Sequence, residues 1–148
     1  MKISENKIRK KTIDDFNDQW KLQGELNKDY WSSDEILFDQ FSNIFSENEI
    51  KDKVIADVGA GTGRILRTLF KYNPKKVFAI EPSDSGQEEI SKNFIRMTNL
   101  NIIQSDGLSF STPEPCDIIF SLGVIHHIKN PTDVLKNIRA NFIRIKVN

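Results

Sequence analysis

Val54-Ile55-Ala56-Asp57-Val58-Gly59-Ala60-Gly61-Thr62-Gly63-Arg64 is the stretch that decides the fold. Its first five residues are apolar and largely β-branched around one acid, the pattern of a short strand buried on both faces. Three alternating glycines follow, letting the chain turn sharply and bringing its backbone close to a ligand. Ile65, Leu66, Leu69 and Phe70 then recur at helical spacing. A strand, a glycine turn and a helix in that order put a binding crevice at the turn.

The pattern repeats downstream. Asn73-Pro74 closes the first helix, and Val77-Phe78-Ala79-Ile80 is a second apolar strand that stops at Glu81-Pro82. Ser85-Gly86-Gln87-Glu88 has capping-box spacing and opens a helix bearing Ile90, Phe94 and Met97. Asn101-Ile102-Ile103-Gln104 is a third strand ending near Asp106-Gly107, followed by a loop from Leu108 to Pro115. Asp117-Ile118-Ile119-Phe120 is a fourth strand running into Ser121-Leu122-Gly123, and Pro131-Thr132-Asp133 starts a last helix with Val134, Leu135 and Ile138. Strands alternating with helices predict a three-layer, Rossmann-like α/β fold with a parallel sheet and right-handed crossovers. Ligands of such sheets lie outside the carboxyl ends of the strands. Asp57, Gly59, Glu81, Asp106 and Ser121 therefore face one crevice.

Ahead of the first strand, residues 1–12 read as a frayed terminus and 13–47 as an aromatic-rich helical preface. Phe16 and Trp20 share one helical face, and Ser32-Ser33-Asp34-Glu35 starts a helix carrying Ile36, Leu37, Phe41, Ile44 and Phe45 to about Ser46. The expected division is thus 1–48 as a helical extension or lid and 49–148 as the core. Tyr30 and Trp31 are candidates for closing the crevice, with an aromatic face available to a cation.

Composition narrows the function. The 148 residues carry 21 basic and 21 acidic side chains, so net charge is zero and no bulk attraction to nucleic acid is expected. Lys2, Lys7, Arg9, Lys10 and Lys11 cluster at the start and read as a solvated end. Cys116 is the single cysteine, which excludes an intrachain disulfide and fits a reducing, cytoplasmic setting. No membrane span and no metal-ligand constellation are expected, since the only histidines are His126 and His127.

Four elements, Asp57-Val58-Gly59-Ala60-Gly61-Thr62-Gly63, Glu81, Asp106 and Ser121-Leu122-Gly123-Val124-Ile125-His126-His127, resemble the class I methyltransferases that use S-adenosylmethionine. The resemblance runs from about Val54 to Ile138 and implies strand order 3-2-1-4. It implies a cofactor site built from Asp57, Gly59, Ala60, Gly61, Gly63, Glu81, Pro82, Asp106, Gly107 and Ser121. Glu81 matches the acid that holds the ribose hydroxyls, and Asp106 the acid facing the adenine amine. The chemistry agrees: carboxylates accept from vicinal hydroxyls, an exocyclic amine and an ammonium group. A nicotinamide dinucleotide fits less well, because Arg64 stands where its fingerprint needs a final glycine.

Methyl transfer from a sulfonium needs mainly placement of the nucleophile, and a base only where the acceptor must lose a proton. His127 is the candidate base, set against a plain packing role. No proline–aromatic tetrad follows the fourth strand. The expected acceptor is a small molecule, with no nucleic acid as partner. A non-catalytic cofactor-binding remnant is the alternative. The resemblance stops after four strands and a helix, which reads as a C-terminally truncated form whose binding and turnover are weak. Ile143, Ile145 and Val147 alternate as a short fifth strand does, or they continue the last helix. A partner chain or a second copy would cover the open sheet edge.

Overall fold

The computed structural model describes residues 2–26 and 34–142. Helices α1 (Lys2–Leu26), α2 (Asp34–Ser42) and α3 (Glu47–Ile50) lead into β1 (Val54–Val58), α4 (Arg64–Lys71), β2 (Lys76–Ile80), α5 (Asp84–Asn93), β3 (Leu100–Ile103), β4 (Ile118–Phe120) and α6 (Pro131–Asn141). A single 3-10 turn, Ile125–His127, stands between β4 and α6. The four described strands form one parallel sheet in the order β3-β2-β1-β4, as expected.

Register explains why one end of this sheet becomes a site. Val58 pairs with Ile80, Ile80 with Ile103, and Asp57 with Phe120. The residues that follow each strand therefore leave the sheet along one edge. All five residues of β1 are buried, and its side chains alternate between two apolar clusters. Ile55 joins Leu66, Leu69, Ile90 and Phe94 under α4 and α5, while Val54, Ala56 and Val58 join Phe110 and Cys116 on the other face, where Ile138 of α6 packs. The central strand reads as an apolar run broken only by Asp57 because both its faces are covered.

Several local expectations are corrected. Residues 2–12 are helical, and α1 continues unbroken to Leu26. The helix from Asp34 ends at Ser42, where the Ser42 hydroxyl and the Asn43 side-chain amide both donate to the Asp39 carbonyl. Ile44 is consequently exposed, and α3 restarts at Ser46, whose N–H and hydroxyl donate to the Glu49 carboxylate. The cap of α5 is Ser83, which accepts from the Gly86 N–H, two residues before the expected start. Tyr30, Trp31 and the alternating tail from Ile143 lie outside the described residues. Phe142 makes an isolated parallel bridge to Cys116.

Among the described side chains, none of α1 belongs to either apolar cluster. The described core is built without it, and stability should follow that division. Leu66→Ala, at a fully buried position, is expected to cost about 2–5 kcal/mol. Ile8→Ala on α1, where Ile8 is 55% exposed, should stay within about 0.5 kcal/mol. Urea unfolding followed by far-ultraviolet dichroism checks both values.

Candidate cofactor site at the carboxyl edge of the sheet

The glycine turn is held by backbone bonds. Gly59 and Ala60 both donate to the Ile80 carbonyl, at 2.8 and 3.0 Å, which ties the turn to the end of β2. Gly59, Gly61 and Gly63 all have positive φ, a conformation that side chains resist. The space is equally tight. A Cβ at Gly59 would stand 2.2 Å from Val124, and one at Gly63 would stand 2.6 Å from Phe94 on the α5 side. Gly86, in the first turn of α5, comes so close that a Cβ there would sit 2.8 Å from the Gly61 carbonyl.

Three acids surround this turn. Glu81 Oε2 accepts from the Gly61 N–H at 2.7 Å, and Oε1 accepts from the Ser83 N–H and hydroxyl. A carboxylate offers about four acceptor positions, so Glu81 keeps one. Burial raises its pKa, against the lowering effect of the Ser83 and Gly61 bonds. Asp106 is similarly engaged. It pairs with the Arg9 guanidinium through Oδ2 and accepts from the Leu108 N–H and the Ser109 hydroxyl through Oδ1.

Asp57 differs from both. It is 2% exposed, and its Oδ2 has no partner among the described residues. Burial, reinforced by the Glu81 charge and opposed by Arg64, pushes its carboxyl up to about 7. The Ser121 hydroxyl is likewise buried and without a partner among the described residues.

The three acids border a cavity of about 870 Å³. Asp57, Gly59, Ala60, Gly61, Glu81, Pro82, Asp106, Gly107 and His127 line it, whereas Gly63 and Ser121 sit behind the wall. Gly63 holds the helix packing, and Ser121 follows β4 directly. The Gly107 carbonyl accepts from the Asn137 side chain, which fixes the β3 turn against α6. His127 meets Phe16 edge-on at 5.0 Å between ring centres and lies 3.9 Å from His126. Local desolvation and the neighbouring His126 lower the His127 pKa, which favours the neutral ring.

The opposite wall of the cavity is α1, part of the expected extension or lid, with residues other than Tyr30 and Trp31 facing the site. Arg9, Ile13, Phe16 and Trp20 all line it. Their spacing of four, three and four marks one helical face, and that signal was available in the sequence. Trp20 stands 3.1 Å from where a Gly61 Cβ would be, and Asn17 accepts from the Ser85 hydroxyl and N–H. Lys129 pairs with Glu5 at 3.0 Å.

S-adenosylmethionine fits this donor and acceptor set. One acceptor position on Glu81, one on Asp106 and a wholly open oxygen on Asp57 suit a hydroxyl, an amine and an ammonium group. The cavity lies within the usual ~300–1,000 Å³ of a small-molecule site.

Comparison with known proteins agrees. The family profile of a methyltransferase domain matches residues 56–140, more than half the chain. The chain belongs to that family, the class I methyltransferases with S-adenosylmethionine as cofactor. Among curated relatives, the tRNA U34 carboxymethyltransferase of Campylobacter jejuni is 32% identical over 101 residues, covering 63% of this chain and 33% of that protein. The protein of the same name from Helicobacter acinonychis is 33% identical over 111 residues, covering 72% and 41%. The chain thus spans between a third and two-fifths of these relatives' length. A solved methyltransferase structure from Methanococcus maripaludis shares the fold with a TM-score of 0.69 at 20% identity, covering 85% of this chain and 58% of that one.

Two expectations are overturned here. The relatives' names specify tRNA, against both a small-molecule acceptor and the absence of a nucleic-acid partner. The physical reason is that net charge is a sum. Residues 1–11 hold five basic side chains against one acid, and the rest of the chain carries the matching acidic excess. Among the described residues no helix is long and apolar enough to cross a membrane.

The raised Asp57 carboxyl gives a signed pH dependence. The stability it contributes is whole below its unfolded value of 3.8 and is lost as the pH rises through about 7. Asp57→Asn should therefore be more stable than the parent at pH 8 without ligand, with the gap closing as the pH falls toward 4. Thermal unfolding across that range checks the sign.

Proposed function

We propose that this chain forms the cofactor-binding part of an S-adenosylmethionine-dependent enzyme that alkylates uridine 34 of tRNA. The observation that carries the acceptor is the shared name of the curated relatives it matches at 32–35% identity. In this reading residues 1–48 roof the site and residues 49–148 form its floor. The cytoplasm is where such an acceptor is met.

The roles follow the geometry above. The cofactor supplies an electrophilic carbon on a sulfonium, already activated for displacement. The open oxygen of Asp57 holds the ammonium, and the turn Gly59, Ala60, Gly61 and Gly63 lets the backbone approach the methionine part. Glu81 accepts from a ribose hydroxyl beside Pro82. Asp106 accepts from the adenine amine, with Gly107 keeping that wall thin. His127, with its neutral ring favoured, takes the proton that the acceptor gives up. The α1 wall excludes water from the reacting carbon, with Phe16 holding the His127 ring.

Isothermal titration with S-adenosylmethionine tests the cofactor half. Binding should be lost or weakened more than tenfold in Asp57→Ala, and no heat with a folded parent chain would sink it. The acceptor half needs carbon-14 on the transferred group, as methyl or as carboxymethyl. Label should enter tRNA and fail to enter the same tRNA with cytidine at position 34. His127→Ala should lower transfer by about 10²–10⁴ with cofactor affinity nearly unchanged. Equal labelling of the cytidine tRNA would exclude uridine 34 as the acceptor.

A further inference from the structure

The basic cluster near the start of the chain is part of a continuous helix, and α1 turns two different faces outward and inward. Glu5, Arg9, Phe16 and Trp20 look into the cofactor cavity. Lys7, Lys10 and Lys11, at i, i+3 and i+4, are exposed on the other side. Arg9 and Glu5 are consumed internally, by Asp106 and Lys129. Lys7 and Lys10 make no ion pair within the described residues, and Lys11 pairs only with Asp15 one turn on.

Beside Lys10 runs a shallow groove of about 400 Å³. Lys10 and Asn6 line it from α1, and Gln104, Ser105 and Ser109 line it from the end of β3. Amides, hydroxyls and an ammonium are the groups that contact phosphate and sugar oxygens. The groove borders Asp106 and Pro82, which also line the cofactor cavity. Asp14, Asp15 and Asp18 make the next turns of α1 acidic, so the attractive stretch ends there.

We infer that the outer face of α1 at Lys7, Lys10 and Lys11, with the adjoining groove, is a docking surface for the phosphate backbone of tRNA. It rests on the tRNA reading above and goes beyond it by assigning the contact. Charge complementarity carries it. A chain of zero net charge places Lys10 on a groove that borders the site, with Lys7 and Lys11 exposed within one turn of it on the same helix. Backbone contacts of this kind set register and orientation, and the base is chosen inside the cavity.

The test measures binding of unmodified tRNA to the full chain by fluorescence anisotropy across a salt series. The triple variant Lys7→Gln, Lys10→Gln, Lys11→Gln should lose affinity on the order of a hundredfold at 0.1 M salt. Its log-affinity salt slope should flatten by about 2–3, near one unit per lost phosphate contact. Cofactor titration and helical dichroism should match the parent, showing that α1 is intact. A control triple, Lys51→Gln, Lys53→Gln, Lys75→Gln, at the opposite end of the sheet, should bind nearly as the parent does. Parent-like affinity and slope in the first triple would overturn the assignment while leaving the tRNA reading standing. Equal losses in both triples would also overturn it, as unlocalised charge attraction. A parent chain that binds cofactor but no tRNA, or that prefers phosphatidylserine vesicles, would remove the acceptor reading as well.

Discussion

The hydrogen bond from the Gly61 amide to the Glu81 carboxylate, 2.7 Å long, is the contact on which the rest of this structure depends. It joins the turn after β1 to the residue after β2. The Gly59 and Ala60 amides bind the Ile80 carbonyl beside it, and Gly86 brings α5 against the Gly61 carbonyl. None of these approaches tolerates a side chain on the turn. The glycines are thus fixed by neighbouring backbone and by Val124, Phe94 and Trp20, each for a separate reason. The crevice exists because the chain can fold that tightly at one edge of a buried sheet.

That tightness has an electrostatic consequence. Asp57 and Glu81 are both buried, and each carboxylate is disfavoured by the loss of water. Glu81 recovers part of the loss through three donors, whereas Asp57 leaves one oxygen open. A ligand that brings an ammonium group to Asp57 offsets an unfavourable feature of the free protein. Binding and ionisation are then coupled, and affinity should carry the titration of this one carboxyl.

Much of the fold was legible because β1, β2 and α4 have apolar patterns that admit one reading. A strand buried on both faces shows a continuous run, and the two clusters explain why Val54 to Val58 has no alternation. The three strand-end acids were also visible, since register alone brings them to one edge. The roof was legible as a helical extension, but not the residues by which it faces the site. None of the described side chains of α1 joins the core clusters, so its apolar stripe is sparse, and Arg9 meets Asp106 across 97 residues of sequence. The break after Ser42 was hidden because Ile44 and Phe45 continue the helical period through a turn made by side-chain bonds to Asp39. The acceptor was misjudged because a summed charge conceals how charges are placed.

The separation of α1 from both apolar clusters also bears on how the molecule opens. Regions with few buried apolar contacts come away in local fluctuations well below the free energy of global unfolding. Among the described residues, α1 meets the rest of the chain through ion pairs, side-chain hydrogen bonds, a ring edge and the packing of Trp20 on Gly61. The floor of the site, by contrast, is cut into a fully buried strand. Amide hydrogens of β1 and β2 should therefore exchange only through rare openings, and those of α1 through frequent ones. Ligand entry and exit then need only the roof to move, with the sheet left folded.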